Sequence, residues 1–128
     1  MTKFLIHLRN KQIELQKRII VDEKEVNPTA YDFMISSHVR DKEKMSSWNI
    51  LAMHAELSEL LEWTNWKQHK KTRVEYTPER LKEIRIELID ILHYWMNLCI
   101  VWDLTPENII RIYEEKNAEN HERQNKSY

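Results

Sequence analysis

The chain has 128 residues, 41% of them hydrophobic and 32% charged, and 20 basic against 21 acidic side chains leave a formal net charge of −1. That length suits one domain over residues 1–128 with a buried core, and the charge gives no electrostatic case for nucleic acid or a membrane surface as partner. Glycine is absent altogether, which excludes a Walker loop, a G-x-G-x-x-G turn and a glycine nucleophile elbow. A lone Cys99 cannot form an intramolecular disulfide, and the N-terminus has no basic-then-apolar signal pattern. The most apolar stretch, Leu88 to Trp102, is too short to span a bilayer and contains Asp90 and His93. A cytoplasmic protein is expected.

The first helix is predicted from about Thr2 to Val21, where Leu5, Leu8, Leu15 and Ile19 recur at helical spacing with Gln12 on the same stripe. Asn27-Pro28 marks a turn, and Tyr31 to Ile35 reads as a short helix. A long helix is predicted from about Ser46 to Lys67, with serine as its N-cap. A polar connector follows, Gln68 to Tyr76, carrying the basic run His69-Lys70-Lys71-Thr72-Arg73. Thr77-Pro78-Glu79 and Thr105-Pro106-Glu107 then repeat one start signal: threonine as cap, proline as first helical residue, and an acid near the positive helix end. They open helices to about Trp102 and about Gln124. Convincing period-2 alternation is absent, so the fold class is all-α, a compact bundle of four to five helices.

Carboxylates stand where a core should be. Glu56 and Glu59 lie three apart on one helix, and Glu87 and Asp90 repeat that spacing on the next. The second of these helices is apolar on most sides, so it should be buried nearly all round, and an ionised Asp90 there is costly without compensation. Two such pairs facing each other repel unless they bind cations, and hard oxygen ligands suit Mg²⁺, with Mn²⁺ a possible substitute. The bland alternative is a solvated helix face. Tyr113, Lys116, Asn117, Asn120, Arg123 and Gln124 share a broad face of the last helix, where cations can neutralise phosphate and amides can hydrogen-bond a sugar. The same face could equally be the wet side of a terminal helix. Gln12 interrupts a leucine stripe with an amide suited to a base edge. His93 and Cys99 read as core residues.

These motifs resemble the all-α nucleoside triphosphate pyrophosphohydrolase superfamily, which includes MazG-like enzymes. The elements that carry the resemblance are Glu56-x-x-Glu59, a 27-residue gap, and Glu87-x-x-Asp90. Within it, Trp63 and Trp66-Lys67, the run Leu92-His93-Tyr94, and Tyr113-x-x-Lys116-Asn117-x-x-Asn120-x-x-Arg123-Gln124 are similar to the dimeric all-α dUTPases. Gln12, ahead of Leu15 and Arg18-Ile19-Ile20, resembles their base- and sugar-contacting helix. Gln16 stands where these enzymes often carry Asn or Asp, and Asn125-Lys126-Ser127-Tyr128 replaces their usual Gly-Tyr.

The resemblance implies hydrolysis of dUTP to dUMP and diphosphate. It implies Mg²⁺ held by Glu56, Glu59, Glu87 and Asp90, which serve as both metal ligands and catalytic residues. Lys116 and Arg123 would lie at the phosphates, with Tyr113, Asn117 and Asn120 on the same substrate-binding face. Gln12, Trp63, Trp66 and Lys67 would help hold the nucleotide. Two subunits would combine, and the helix bearing Trp95, Leu98, Ile100 and Trp102 is by itself apolar on more faces than one small bundle can cover, so a homodimer or larger homo-oligomer is expected. Three rivals stand beside this reading: a related helical pyrophosphohydrolase for dCTP or a non-canonical nucleotide, a carboxylate-bridged di-metal bundle, and a non-catalytic helical module.

Overall fold

A computed structural model describes residues 2–21 and 28–126. Five helices follow one another: α1 (Thr2–Gln16), α2 (Ala30–Met34), α3 (Val39–Glu62), α4 (Pro78–Val101) and α5 (Pro106–Asn125). The described residues contain no strand, only a single antiparallel bridge between Ile20 and Thr29. None of their helices is long and apolar enough to cross a membrane. The turn expected at Asn27-Pro28 falls partly outside the described residues.

The start signals act as their chemistry requires. Thr77 and Thr105 accept hydrogen bonds from Arg80 N–H and Asn108 N–H, each with proline opening the helix. Thr29 and Asp32 form a reciprocal capping box on α2. The long central helix departs from its expected limits, because α3 begins at Val39, ahead of the expected serine cap. Ser46 is buried within it and accepts a hydrogen bond from Trp102 Nε1 at 2.6 Å. The polar start is organised instead by Ser36, whose hydroxyl accepts from His38 N–H and donates to the Asp41 carboxylate. At the other end α1 and α3 stop short of the expected Val21 and Lys67, at Gln16 and Glu62.

α4 ends in a left-handed residue supplied by aspartate. Asp103 has φ 53°, while Leu104 N–H donates to Cys99 O and Asp103 N–H donates to Ile100 O. That pair of bonds is a Schellman motif, whose left-handed position usually falls to glycine. With no glycine in the chain, a short polar side chain takes the position at some cost.

α3 and α4 form an antiparallel hairpin, the most extensive helix pairing in the fold. Its register is legible from side chains along its length. Lys42 Nζ donates to Val101 O, Asn97 Nδ2 donates to Asn49 Oδ1, and Arg80 Nη1 donates to Trp63 O. The apolar core gathers at the α4 C-terminal end, where Met96, Cys99, Ile100 and Val101 meet Met34, Met45 and Ala30. Burial pushes the Cys99 thiol up to about 11, in keeping with the core role expected of it. Further along the hairpin toward its loop, about midway on α4, the carboxylates converge. α4 is less enclosed than its sequence suggests, since Leu81, Leu88 and Ile89 are exposed on the single chain. α5 packs against α1 and sets Ile109 against the apolar core, and its residues from Arg111 onward are exposed.

Candidate active site

Glu56 lies two turns before the end of α3, and Glu87 and Asp90 lie about midway along α4. The antiparallel register therefore sets them opposite each other. One carboxylate oxygen from each of Glu56, Glu87 and Asp90 lies within 4.8 Å of the others. Glu87 is buried, with Glu56 and Asp90 half-buried. Oε2 of Glu56 and Oε2 of Glu87 are fully enclosed, and no donor reaches them among the described residues. Two orphaned anionic oxygens in an enclosed space are costly, and a proton or a cation is the usual remedy.

The acid–base chemistry responds accordingly. Hydrogen bonding to Glu87 lifts the Glu56 carboxyl to about 7, assisted by burial and by the charges of Glu59, Glu87 and Asp90. Ionising Glu56 beside these neighbouring carboxylates is costly, so its carboxyl keeps its proton to higher pH. The donor set fits a divalent cation by the same reasoning: three carboxylates converge, and enclosed oxygens lack a hydrogen-bond donor. Glu59 is outside the trio and exposed, although its charge acts on Glu56 and it borders the same surface depression as Trp63 and Glu87.

A cleft of about 220 Å³ opens beside the trio, between α1, α3 and α4. Gln12 and Gln16 form one wall, Glu56 and Asp90 the floor, and His93, Tyr94 and Asn97 the other wall. Gln12 thus shares a cleft with the carboxylates, as a base-contacting residue would require. His93 corrects the core assignment: it is exposed at the cleft, because the turn of α4 that bears it faces α1 rather than the Met-rich core. Sequence reasoning missed Asn49 and Asn97. Their signal was available, since Asn97 is the polar residue inside an apolar run and Asn49 lies two turns before Glu56 on the same helix.

The other expected substrate residues lie elsewhere. Trp66 and Lys67 line a separate pocket in the α3–α4 loop together with Lys70 and Arg73. That loop is pinned by Asn65, which exchanges two hydrogen bonds of 2.8 Å with the Val74 main chain. Trp63 is half-buried with the Arg80 guanidinium 5.2 Å from its ring centre. On α5, Tyr113, Lys116, Asn117, Asn120 and Arg123 are all exposed, and Lys116 and Arg123 both pair with Glu119. Within one chain that face is not brought onto the carboxylates: α5 packs through its first turns, on α1 and at Ile109 on the apolar core, and stands exposed from Arg111 onward.

Five helices bring carboxylates from two of them together beside a cleft, an arrangement that could hold a divalent cation. A family model described as dUTPase matches residues 5–105, and the chain belongs to this dUTPase family. It is also similar to a dCTP pyrophosphatase of Enterobacteria phage LZ5, 40% identical over 72 residues that make up 52% of this chain and 41% of that protein. A dCTP pyrophosphatase of Enterobacteria phage T4 is 35% identical over 71 residues, 52% of this chain and 42% of the relative. The match therefore spans about two fifths of the length of these curated relatives. No solved structure matches. The family match ends at Thr105 and so leaves out α5, where the C-terminal signature lies.

Proposed function

We propose that the protein hydrolyses a pyrimidine deoxynucleoside triphosphate to its monophosphate and diphosphate, with dUTP as substrate. The observation that carries this reading is the convergence of Glu56, Glu87 and Asp90 on a cleft walled by Gln12, in a chain of the dUTPase family. dCTP is the second reading, and the phage relatives named dCTP pyrophosphatase favour it.

Glu56, Glu87 and Asp90 would hold Mg²⁺, with Glu59 at the rim as the fourth carboxylate. Bound there, the cation supplies charge neutralisation for phosphate oxygens and a water of lowered pKa. Glu56 would have to give up its proton to ligate, so cation binding would be coupled to proton release. Gln12 holds the base through its amide. Trp63, Trp66 and Lys67, at the α3–α4 loop, would contribute stacking and charge to the nucleotide. Lys116 and Arg123, with Tyr113, Asn117 and Asn120, serve phosphate and sugar once α5 meets a site, which the homodimer provides. Turnover of dUTP and dCTP by the purified protein with Mg²⁺ tests the reading. Release of diphosphate from either supports it, and failure to process any nucleoside triphosphate with Mg²⁺ or Mn²⁺ overturns it.

A further inference from the structure

Three side-chain amides form a continuous buried chain beneath the cleft. Gln12 Nε2 donates to Asn97 Oδ1 at 2.7 Å, Asn97 Nδ2 donates to Asn49 Oδ1 at 2.8 Å, and Asn49 Nδ2 donates to Met45 O at 2.7 Å. All three residues are buried, with 3–5% of their surface exposed, and the chain ties α1 to α4 and α4 to α3. An amide can present either its oxygen or its nitrogen to a neighbour, so a row of amides has two possible directions. Here the last partner removes the ambiguity, because a main-chain carbonyl can only accept. Asn49 must therefore turn its nitrogen to Met45 and its oxygen to Asn97. Asn97 must then turn its nitrogen to Asn49 and its oxygen to Gln12. Gln12 in turn must spend its nitrogen on Asn97, and among the described residues no donor reaches its oxygen, Oε1. Reversing any one amide would set two oxygens against each other in a buried place, at the cost of an unsatisfied pair.

We propose that Asn49 and Asn97 are positioning residues that fix the direction of the Gln12 amide, so that Gln12 offers the cleft a hydrogen-bond acceptor and selects a nucleotide whose base presents an N–H there. This rests on the reading of Gln12 as the base-contacting residue. Uracil offers its ring N3–H and cytosine its exocyclic amine. A base that sets a carbonyl or an unprotonated ring nitrogen against Gln12 leaves two acceptors facing, and is disfavoured. Asn49 lies outside the cleft lining, so any influence it has on base choice must pass through Asn97 and Gln12. The strength of such a reader comes from the penalty on the wrong partner, which is largest where the reading group cannot turn over.

The experiment compares the kcat/KM ratio for dUTP and dCTP in the full chain with Mg²⁺, for wild type, Gln12→Leu, Asn49→Leu and the double variant. Asn49→Leu is expected to move that ratio about five-fold or more, through KM more than kcat, and to move it no further in the Gln12→Leu background. Asn49→Asp is expected to restore the wild-type ratio, because a neutral carboxyl donates its O–H to Met45 O and accepts from Asn97. A ratio left at the wild-type value by Asn49→Leu, or moved equally in both backgrounds, overturns the proposal. A ratio unmoved by Gln12→Leu itself overturns the underlying reading of Gln12, and so is distinguishable. Should Asn49→Leu fail to fold, Asn49→Ala makes the same comparison, since an admitted water can donate or accept and releases the direction of the chain. The unaltered protein gives a further readout by NMR. The coupling between Gln12 Nε2 and the Asn97 side-chain carbonyl carbon across their hydrogen bond is expected to persist when a non-hydrolysable dUTP analogue binds with Mg²⁺. Its loss on binding would show that Gln12 turns over, and would overturn the proposal.

Discussion

Glu56 concentrates the energetic tension of the molecule in one carboxyl. Its upward shift to about 7 arises chiefly from the hydrogen bond to Glu87, and the sign of its pH effect follows. Between about 4.5 and about 7 the folded chain holds a proton that the unfolded chain has released. The stability contributed by this group is therefore fully present at low pH and is lost as pH rises through about 7. Melts of the chelated protein should show falling stability over that range, and Glu56→Gln should flatten the slope. At pH 8 that substitution should raise the chelated protein's stability by on the order of 1–2 kcal/mol, because one crowded charge is gone from a half-solvated site. Asp90→Asn should act in the same direction without chelated-state loss. Saturating Mg²⁺ should raise the wild-type Tm and help either variant much less. Destabilisation of both variants in chelator, with an unchanged Mg²⁺ response, would make these carboxyls structural partners instead.

The α3–α4 hairpin turns two sequence spacings into one cluster. The three-residue repeats on each helix were legible, as were the Thr-Pro-Glu starts, because capping and i, i+3 geometry are local. The serine cap at Ser46 was not, because a tertiary partner, Trp102, claims that hydroxyl and lets the helix run back to Val39. Nor was the enclosure of Glu56, Glu87 and Asp90 with Glu59 left outside: which oxygens meet depends on the hairpin register, which no local spacing encodes. Asn49 and Asn97 could have been singled out as polar residues at buried helical positions, but their bond to each other depends on the same register. The turn after α4 permits a test at this scale. Replacing Asp103, with its φ of 53°, by glycine should stabilise the protein by up to ~1 kcal/mol in thermal melts, whereas Asp103→Val should cost ~1–2 kcal/mol. A neutral result for both would mean that the Schellman bonds at Cys99 O and Ile100 O do not hold the helix end.

At the scale of the whole molecule, the single chain leaves apolar surface open. Leu81, Leu88 and Ile89 on α4 and Leu51, Leu57 and Leu61 on α3 are all exposed, more than an isolated small helical protein usually shows. With α5 exposed from Arg111 onward, a second copy would cover those faces and give the side of α5 that carries Lys116 and Arg123 a site to meet. Light scattering at micromolar concentration should therefore give at least twice the mass of the 15.8 kDa chain. A monomeric mass would leave Lys116 and Arg123 without a route to the carboxylates. The most direct measurement is diphosphate release from dUTP and dCTP with Mg²⁺, by wild type and by Glu87→Gln, which removes the buried member of the trio while keeping its volume. The expected result is turnover of at least one of the two nucleotides by wild type, and a loss of about 100-fold or more in Glu87→Gln with the fold retained. Full activity in Glu87→Gln would contradict a catalytic role for the carboxylate cluster.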